Sequence, residues 1–343
     1  MRVNREELLR VLQSVSPGLA KREIIEQSSC LVFHQGKVMT FNDEVCCSRV
    51  SPLPGVTGAV RAQIFIDLLG KLTEDEIDIV PDPQGTELRI KGVGRRGAVK
   101  MEAQVLLPVD SVEVATEWKD LDPKFAEGVS VVHSCASSEM TQFILTCIHV
   151  HPDYLEASDR FQIARFPLKT GFDQPVLIRA DSLRKMVGFD MTHFSETGSW
   201  VHFKNPLGLT LSIRRHLDDG YRDLTEFITP DGTSPVTLPG GLDEAVAKLE
   251  LFSSENSTGN IIKVSFQPDE LVLEGQGPGG WFAEKKKVAY QGTPIQFLIA
   301  PKLLVEVSRR ANECGVSQNR LFINGGKFLY ATATHVDAAP VEV

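Results

Sequence analysis

Gly275-Gln276-Gly277-Pro278-Gly279-Gly280 satisfies G-x-G-x-x-G and follows a strand-like stretch, so phosphate binding is the first chemistry to weigh. A dinucleotide cradle needs a helix that begins at the third glycine, with an acidic residue further on. Here Pro278 interrupts the pattern, and Trp281-Phe282-Ala283-Glu284-Lys285-Lys286-Lys287 leads back into a strand. The segment reads as a flexible hairpin loop, and its lysines as solvated charge. His149 and His151 share a face of an extended stretch, but no third ligand has suitable spacing, so no zinc site is expected. The signatures G-x-S-x-G, H-E-x-x-H and G-x-x-x-x-G-K-[ST] do not occur. Asp75-Glu76 and Asp218-Asp219 fall in turns, where solvated carboxylates are the default. Cys30, Cys46, Cys47, Cys135, Cys147 and Cys314 form no C-x-x-C pair and read as reduced, buried thiols. Asn256-Ser257-Thr258 matches a glycosylation acceptor, which carries no meaning without a secretory signal. Nothing nominates a catalytic group, a metal or a cofactor. What remains is phosphate-contact chemistry, with Lys21-Arg22 and Arg184-Lys185 as its best candidates.

Those basic pairs sit on or beside short helical segments that recur along the chain. Val60–Leu69, Val176–Val187 and Phe297–Val307 share one shape, and Arg61, Arg179 and Ala300 stand 118 and 121 residues apart. Three copies of a unit this long, two helices each, predict three similar domains. The expected boundaries are 1–121, 122–230 and 231–343. Helices are expected at 5–14, 62–72, 136–146, 180–188, 241–251 and 301–311. Leu8, Leu9, Val11 and Leu12 give the first its apolar stripe, and Ile64, Phe65, Leu68 and Leu69 the second. Met140, Phe143 and Ile144 supply a short third face, while Gly128–His133 alternates as a strand does. Strands are expected between the helices, with turns at Gly94-Arg95-Arg96-Gly97 and Asn205-Pro206-Leu207-Gly208. Asp337-Ala338-Ala339-Pro340 reads as a frayed tail.

Composition agrees with a folded protein of several domains: 343 residues, 42% hydrophobic and 24% charged. No apolar run is long enough for a membrane span. The N-terminus carries charge where a signal peptide has its apolar segment, which predicts a cytoplasmic protein. The net charge of −9 argues against nucleic acid at face value. Its distribution reads differently. The helix windows hold nine cations (Arg5, Arg10, Lys71, Arg184, Lys185, Lys248, Lys302, Arg309 and Arg310) and nine anions. The acidic excess therefore lies in strands and loops.

In these segments the chain resembles the bacterial sliding clamp family, the beta subunit of DNA polymerase III. The resemblance rests on Glu7-Leu8-Leu9 with Gln13-Ser14-Val15, on Phe65-Ile66-Asp67-Leu68 and on Ser158-Asp159-Arg160-Phe161-Gln162-Ile163-Ala164. It continues through Leu217-Asp218-Asp219-Gly220-Tyr221 to Pro230, then Val288-Ala289-Tyr290-Gln291-Gly292 and Phe297–Val307. It implies an α+β DNA clamp fold of three similar domains, each with two helices packed on antiparallel sheets, in a ring-forming head-to-tail homodimer. The implied function is a processivity factor without catalysis that encircles double-stranded DNA and tethers a replicative polymerase. The alternative is a clamp-fold protein that binds peptides without encircling DNA. Lys21, Arg22 and the nine helix cations would face DNA. A cleft for short peptides of the polymerase and clamp loader would map to Asp159, Arg160 and Phe161, to Phe227 and Ile228, and to Thr332 and Ala333. The chain departs from the family where Arg160-Phe161 replaces a glycine-histidine pair, near Asp223 where a proline is usual, and in a tail without apolar terminal residues.

Overall fold

The computed structural model describes residues 1–218, 220–230, 232–256 and 259–335; the tail at 337–340 and the serine and threonine of the Asn256 acceptor lie outside them. The chain divides into two compact units, Met1–Ser130 with Lys169–Asp218, and Val131–Leu168 with Asp219–Val343.

The first unit is built on one antiparallel sheet of twelve strands. Its order is Arg2–Asn4, Glu76–Pro81, Glu87–Gly92, Arg95–Glu102, Gly58–Arg61, Cys30–His34, Lys37–Phe41, Val45–Val50, Thr210–Arg214, Trp200–Lys204, His193–Glu196 and Lys119–Asp120. In the second unit, Cys147–His151, Tyr154–Ser158, Gln162–Pro167, Leu329–Ala333, Arg320–Asn324, Glu313–Val316 and Ser234–Thr237 lie side by side. A smaller sheet there holds Ser254–Asn256, Gly259–Gln267, Glu270–Gly277 and Gly280–Lys287, with Ile295–Ile299 also on Gly259–Gln267.

Six α-helices occur among the described residues: α1 Arg5–Val15, α2 Ala62–Lys71, α3 Phe125–His133, α4 Ala180–Leu183, α5 Leu242–Glu250 and α6 Pro301–Arg310. Local sequence explains their starts. The Asn4 side chain accepts from the backbone N–H of Glu7 at 2.9 Å, and Glu6 and Glu7 sit in the first turn of α1, where the helix dipole favours anions. Pro301 opens α6, where a missing N–H costs nothing. Each stripe faces a sheet: Leu8, Val11, Leu12 and Val15 in α1, and Leu242, Ala245, Val246 and Leu249 in α5. In α2 the buried set is Ala62, Phe65 and Leu69, while Ile64 is 59% exposed, against the expected stripe.

The third helix is a correction. It runs over 125–133, where a strand was expected at 128–133, and the expected 136–146 window holds only a 3-10 turn at Phe143–Thr146. Val129-Ser130-Val131-Val132 imitates strand alternation. Phe125, Val129 and Val132, however, are buried at helical spacing, and that face decides the conformation. The observed helices with the 3-10 turn Arg184–Met186 still hold nine cations and nine anions, because Glu127 takes the place of Glu139.

The Gly275–Gly280 segment is the tight end of a hairpin, with Gly277 paired to Gly280. A Cβ on Gly275 would lie 2.7 Å from the carbonyl oxygen of Leu249, and one on Gly277 would lie 2.9 Å from that of Phe252. The glycines admit the C-terminal end of α5 and its continuation, so their chemistry is close packing. The turn expected at 94–97 is tighter, at Val93-Gly94, with Gly94 at φ +68°.

Candidate functional site

A cleft of about 560 Å³ opens in the second unit. Three segments build it: the turn from Tyr154–Ser158 into Gln162–Pro167, the connection over 224–229, and the strand pair Arg320–Asn324 and Leu329–Ala333. Ile163, Ala331 and Leu224 line its floor, and the first two belong to a buried cluster with Ile228 and Phe322, against which Leu224 and Leu329 pack. Phe161 and Phe227 also line it and remain 39% and 61% exposed. An apolar floor flanked by accessible rings suits the apolar side chains of a short extended segment.

The turn is shaped by Asp159, whose carboxylate accepts from the backbone N–H groups of Phe161 and Gln162, each at 3.0 Å. Arg160 then adopts φ +81°, a backbone region that a side chain with a Cβ rarely occupies. Its Nε donates to Gln142 Oε1 at 2.8 Å. The connection over 224–229 is held from below. Arg165 pairs with Glu156 at 2.6 Å and donates from Nη1 to Thr225 Oγ1 at 3.2 Å, and the Tyr221 hydroxyl donates to Glu156 Oε1 at 3.0 Å. Burial pushes the Glu156 carboxyl up, opposed by the Arg165 charge, and burial with Glu156 nearby pushes the Tyr221 phenol up. His149 stacks on Tyr221 at 4.1 Å and His151 on Tyr154 at 4.3 Å, so both histidines have aromatic partners. No group of three or more possible metal ligands occurs among the described residues.

Of the seven residues expected here, Arg160, Phe161, Phe227, Thr332 and Ala333 line the cleft; Ile228 is buried in the cluster behind it, and Asp159 shapes the rim, neither of them lining it. Sequence reading missed Leu224, Glu226, Asn319 and Arg320. Arg320 Nη1 donates to the carbonyls of Glu226 and Phe227, so it fixes the connection against the strands. The available signal for the connection was the apolar set Leu224, Phe227 and Ile228 in an otherwise polar stretch.

The first unit contains a matching strand seam. In both seams a hairpin strand meets another strand with the same register: Ser212 opposite Cys46 and Ile213 opposite Val45, Ala331 opposite Ile163 and Thr332 opposite Gln162. The next backbone bonds also correspond, Arg214 N–H to Glu44 O at 2.9 Å and Ala333 N–H to Phe161 O at 2.7 Å. Asn42 caps its turn as Asp159 does, accepting from the N–H groups of Glu44 and Val45. Position by position, Asp43 answers to Arg160, Arg214 to Ala333, His202 to Phe322 and Ser212 to Ala331.

The expected DNA-facing cations divide into two groups. Arg10, Lys21, Arg22, Lys71, Arg184, Lys302 and Arg309 are exposed. Lys248 is exposed as well, and it and the remaining three bond to groups of the protein. Arg5 donates to the carbonyls of Glu74 at 2.8 Å and Leu69 at 3.2 Å, and Lys248 pairs with Glu284 at 2.9 Å. Lys185 donates to the Pro17 carbonyl at 2.7 Å, and burial lowers its pKa. Arg310 bonds Glu306 and Ser134 and lies 4.5 Å over the Tyr330 ring. Spacing placed all eleven on helices or beside them, but the withdrawal of Arg5, Lys185 and Arg310 from solvent depends on carbonyls distant in sequence.

No protein-family model and no curated protein matches the chain. Solved structures do. The chain is similar to a sliding clamp, the DNA polymerase III beta subunit, from Pseudomonas aeruginosa at 16% identity, with TM-score 0.81 over 97% of this chain and 98% of that one. It is similar to the beta subunit from the DNA polymerase of Streptococcus pyogenes at 16% identity, with TM-score 0.82 over 98% and 99%. A third similar structure, a sliding clamp from Bartonella birtlesii bound to griselimycin, gives TM-score 0.81 at 16% identity over 97% and 98%. The chain therefore has the α+β fold of the sliding clamps over nearly its whole length.

Proposed function

We propose that this protein is a DNA sliding clamp, a non-catalytic processivity factor that encircles duplex DNA and tethers a replicative polymerase in the cytoplasm. The observation that carries the reading is similarity to sliding clamps over nearly the whole of both chains. Three similar domains, 1–121, 122–230 and 231–343, would assemble head to tail as a homodimer ring. Helices of balanced charge in a protein of net charge −9 support a DNA-facing helical surface, and Arg10, Lys21, Arg22, Lys71, Arg184, Lys302 and Arg309 would make its phosphate contacts. Sparse, solvated cations suit sliding, since each phosphate contact must break at every step, and topology supplies retention without sequence readout. The cleft of the second unit would receive short peptides of the polymerase and clamp loader.

The test is retention on nicked circular DNA after loading, with loss once the circle is linearised, alongside a solution mass of two chains. A monomer indifferent to DNA topology overturns the reading. The intramolecular engagement of Arg5, Lys185, Lys248 and Arg310 favours a second reading, a clamp-fold peptide-binding protein that does not encircle DNA. Charge reversal at Arg22 and Arg184 separates the two: loading falls if DNA passes through a ring and is unchanged otherwise.

A further inference from the structure

We infer that Arg160 makes the cleft of the second unit selective for peptides that carry a carboxylate beside their apolar residues. This rests on reading the cleft as a peptide site and adds a residue that decides which peptides it takes. The matching seam of the first unit supplies the argument. There the turn residue is Asp43, at φ +74°, and it is paired with Arg214: Nη2 to Oδ1 at 2.9 Å and Nε to the Asp43 carbonyl at 2.9 Å. A carboxylate and a guanidinium thus fill the two corresponding positions and close that rim.

In the second unit the same two positions hold Arg160 and Ala333. The charge on the turn is reversed and its protein partner is gone. Arg160 is exposed, lines the cleft and is oriented by its single side-chain bond to Gln142. Among the described residues its terminal amino groups meet no acceptor. Ala333, a methyl where the first unit has a guanidinium, leaves the space open. A carboxylate from outside completes what Asp43 and Arg214 complete internally, in the bidentate geometry that a guanidinium favours. Glu226, which the 224–229 connection brings to the same cleft, opposes an acid beside it. The Asp159 carboxylate is engaged by the N–H groups of Phe161 and Gln162. The acidic residue is therefore placed at the Arg160 guanidinium, away from Glu226, and the apolar residues on the floor at Ile163 and Ala331.

The experiment pans a random octapeptide library on the full-length protein and on Arg160→Gln in parallel. The strongest wild-type binders are then synthesised with Asp or Glu changed to Asn or Gln, and binding is read by fluorescence anisotropy. Expected is an acidic residue next to paired apolar residues in the wild-type selection. Its amide version should bind about fivefold more weakly to the wild type and equally to Arg160→Gln. Arg160→Gly relieves the φ +81° backbone, so it keeps the fold while losing the same preference. Ala333→Asp gives Arg160 an internal carboxylate and should weaken the preference with Arg160 in place. Selected peptides that lose affinity in Phe227→Ala but show no acid preference overturn the role of Arg160 and leave the cleft reading standing. Peptides indifferent to Phe227→Ala, or no selected peptides at all, overturn both.

Discussion

The two strand seams share a register and differ in what fills them. In the first unit the floor carries His202 and Ser212, bonded at 2.8 Å, beside Cys46, and the segment that follows the Arg95–Glu102 strand covers it with Leu107, Val109 and Val112. The cavity left there is about 300 Å³. In the second unit the corresponding floor is Phe322, Ala331 and Ile163, and the covering connection leaves Phe227 exposed over about 560 Å³. Beneath it, Glu156 and Arg165 occupy positions that are Met39 and Ser48 in the first unit. One backbone pattern thus gives a narrower, partly polar seam and a wider, apolar one. The lesson is that the repeat sets where a site can form, and a handful of side chains set whether it does.

The comparison breaks most visibly at the buried ion pair. Arg165→Ser, which installs the residue of the first seam, leaves the fully buried Glu156 carboxylate uncompensated and should cost about 3–5 kcal/mol in the second unit's denaturation. Glu156→Met with Arg165→Ser removes both charges and should recover most of that loss. The outcome that breaks the comparison is a double variant no more stable than Arg165→Ser alone.

The reverse exchange, His202→Phe with Ser212→Ala, gives the first seam the floor of the second. Burial depresses the His202 pKa from 6.5 to about 4. Between those values the unfolded chain takes up a proton that the folded chain refuses, so stability falls as pH drops from about 6.5 to about 4 and is unaffected above that window. The wild type should lose about 3 kcal/mol there through this residue, and the double variant should not. Melting temperatures across that range read the difference; an equal acid loss in both proteins would assign it elsewhere.

Phe227→Ala should change stability by no more than about 0.5 kcal/mol, since its ring is largely exposed, while peptide affinity falls about tenfold. Isothermal titration set beside thermal melting separates those two effects. Smallest is Asp43→Asn at the first rim. It keeps a residue tolerant of positive φ and removes an exposed ion pair, for about 0.5 kcal/mol or less, with the difference vanishing at high salt.

While the class of fold came through family resemblance, the sequence by itself determined five of the six helices, the buried thiols and the neutral charge of the helices. Each is a local or summed property: spacing at 3.6 residues, caps such as Asn4 and Pro301, and counts of side chains. It also placed Phe161, Phe227 and Thr332 together through family resemblance. Tertiary structure alone decided α3, where buried contacts at Phe125, Val129 and Val132 overrode strand-like alternation. It decided which cations are drawn in from solvent, because Arg5, Lys185 and Arg310 meet carbonyls roughly 64 to 179 residues away. It also decided that Arg160 has no carboxylate partner among the described residues where Asp43 is paired with Arg214. That difference depends on which strand crosses each turn, and strand pairing over such separations leaves no trace in local pattern.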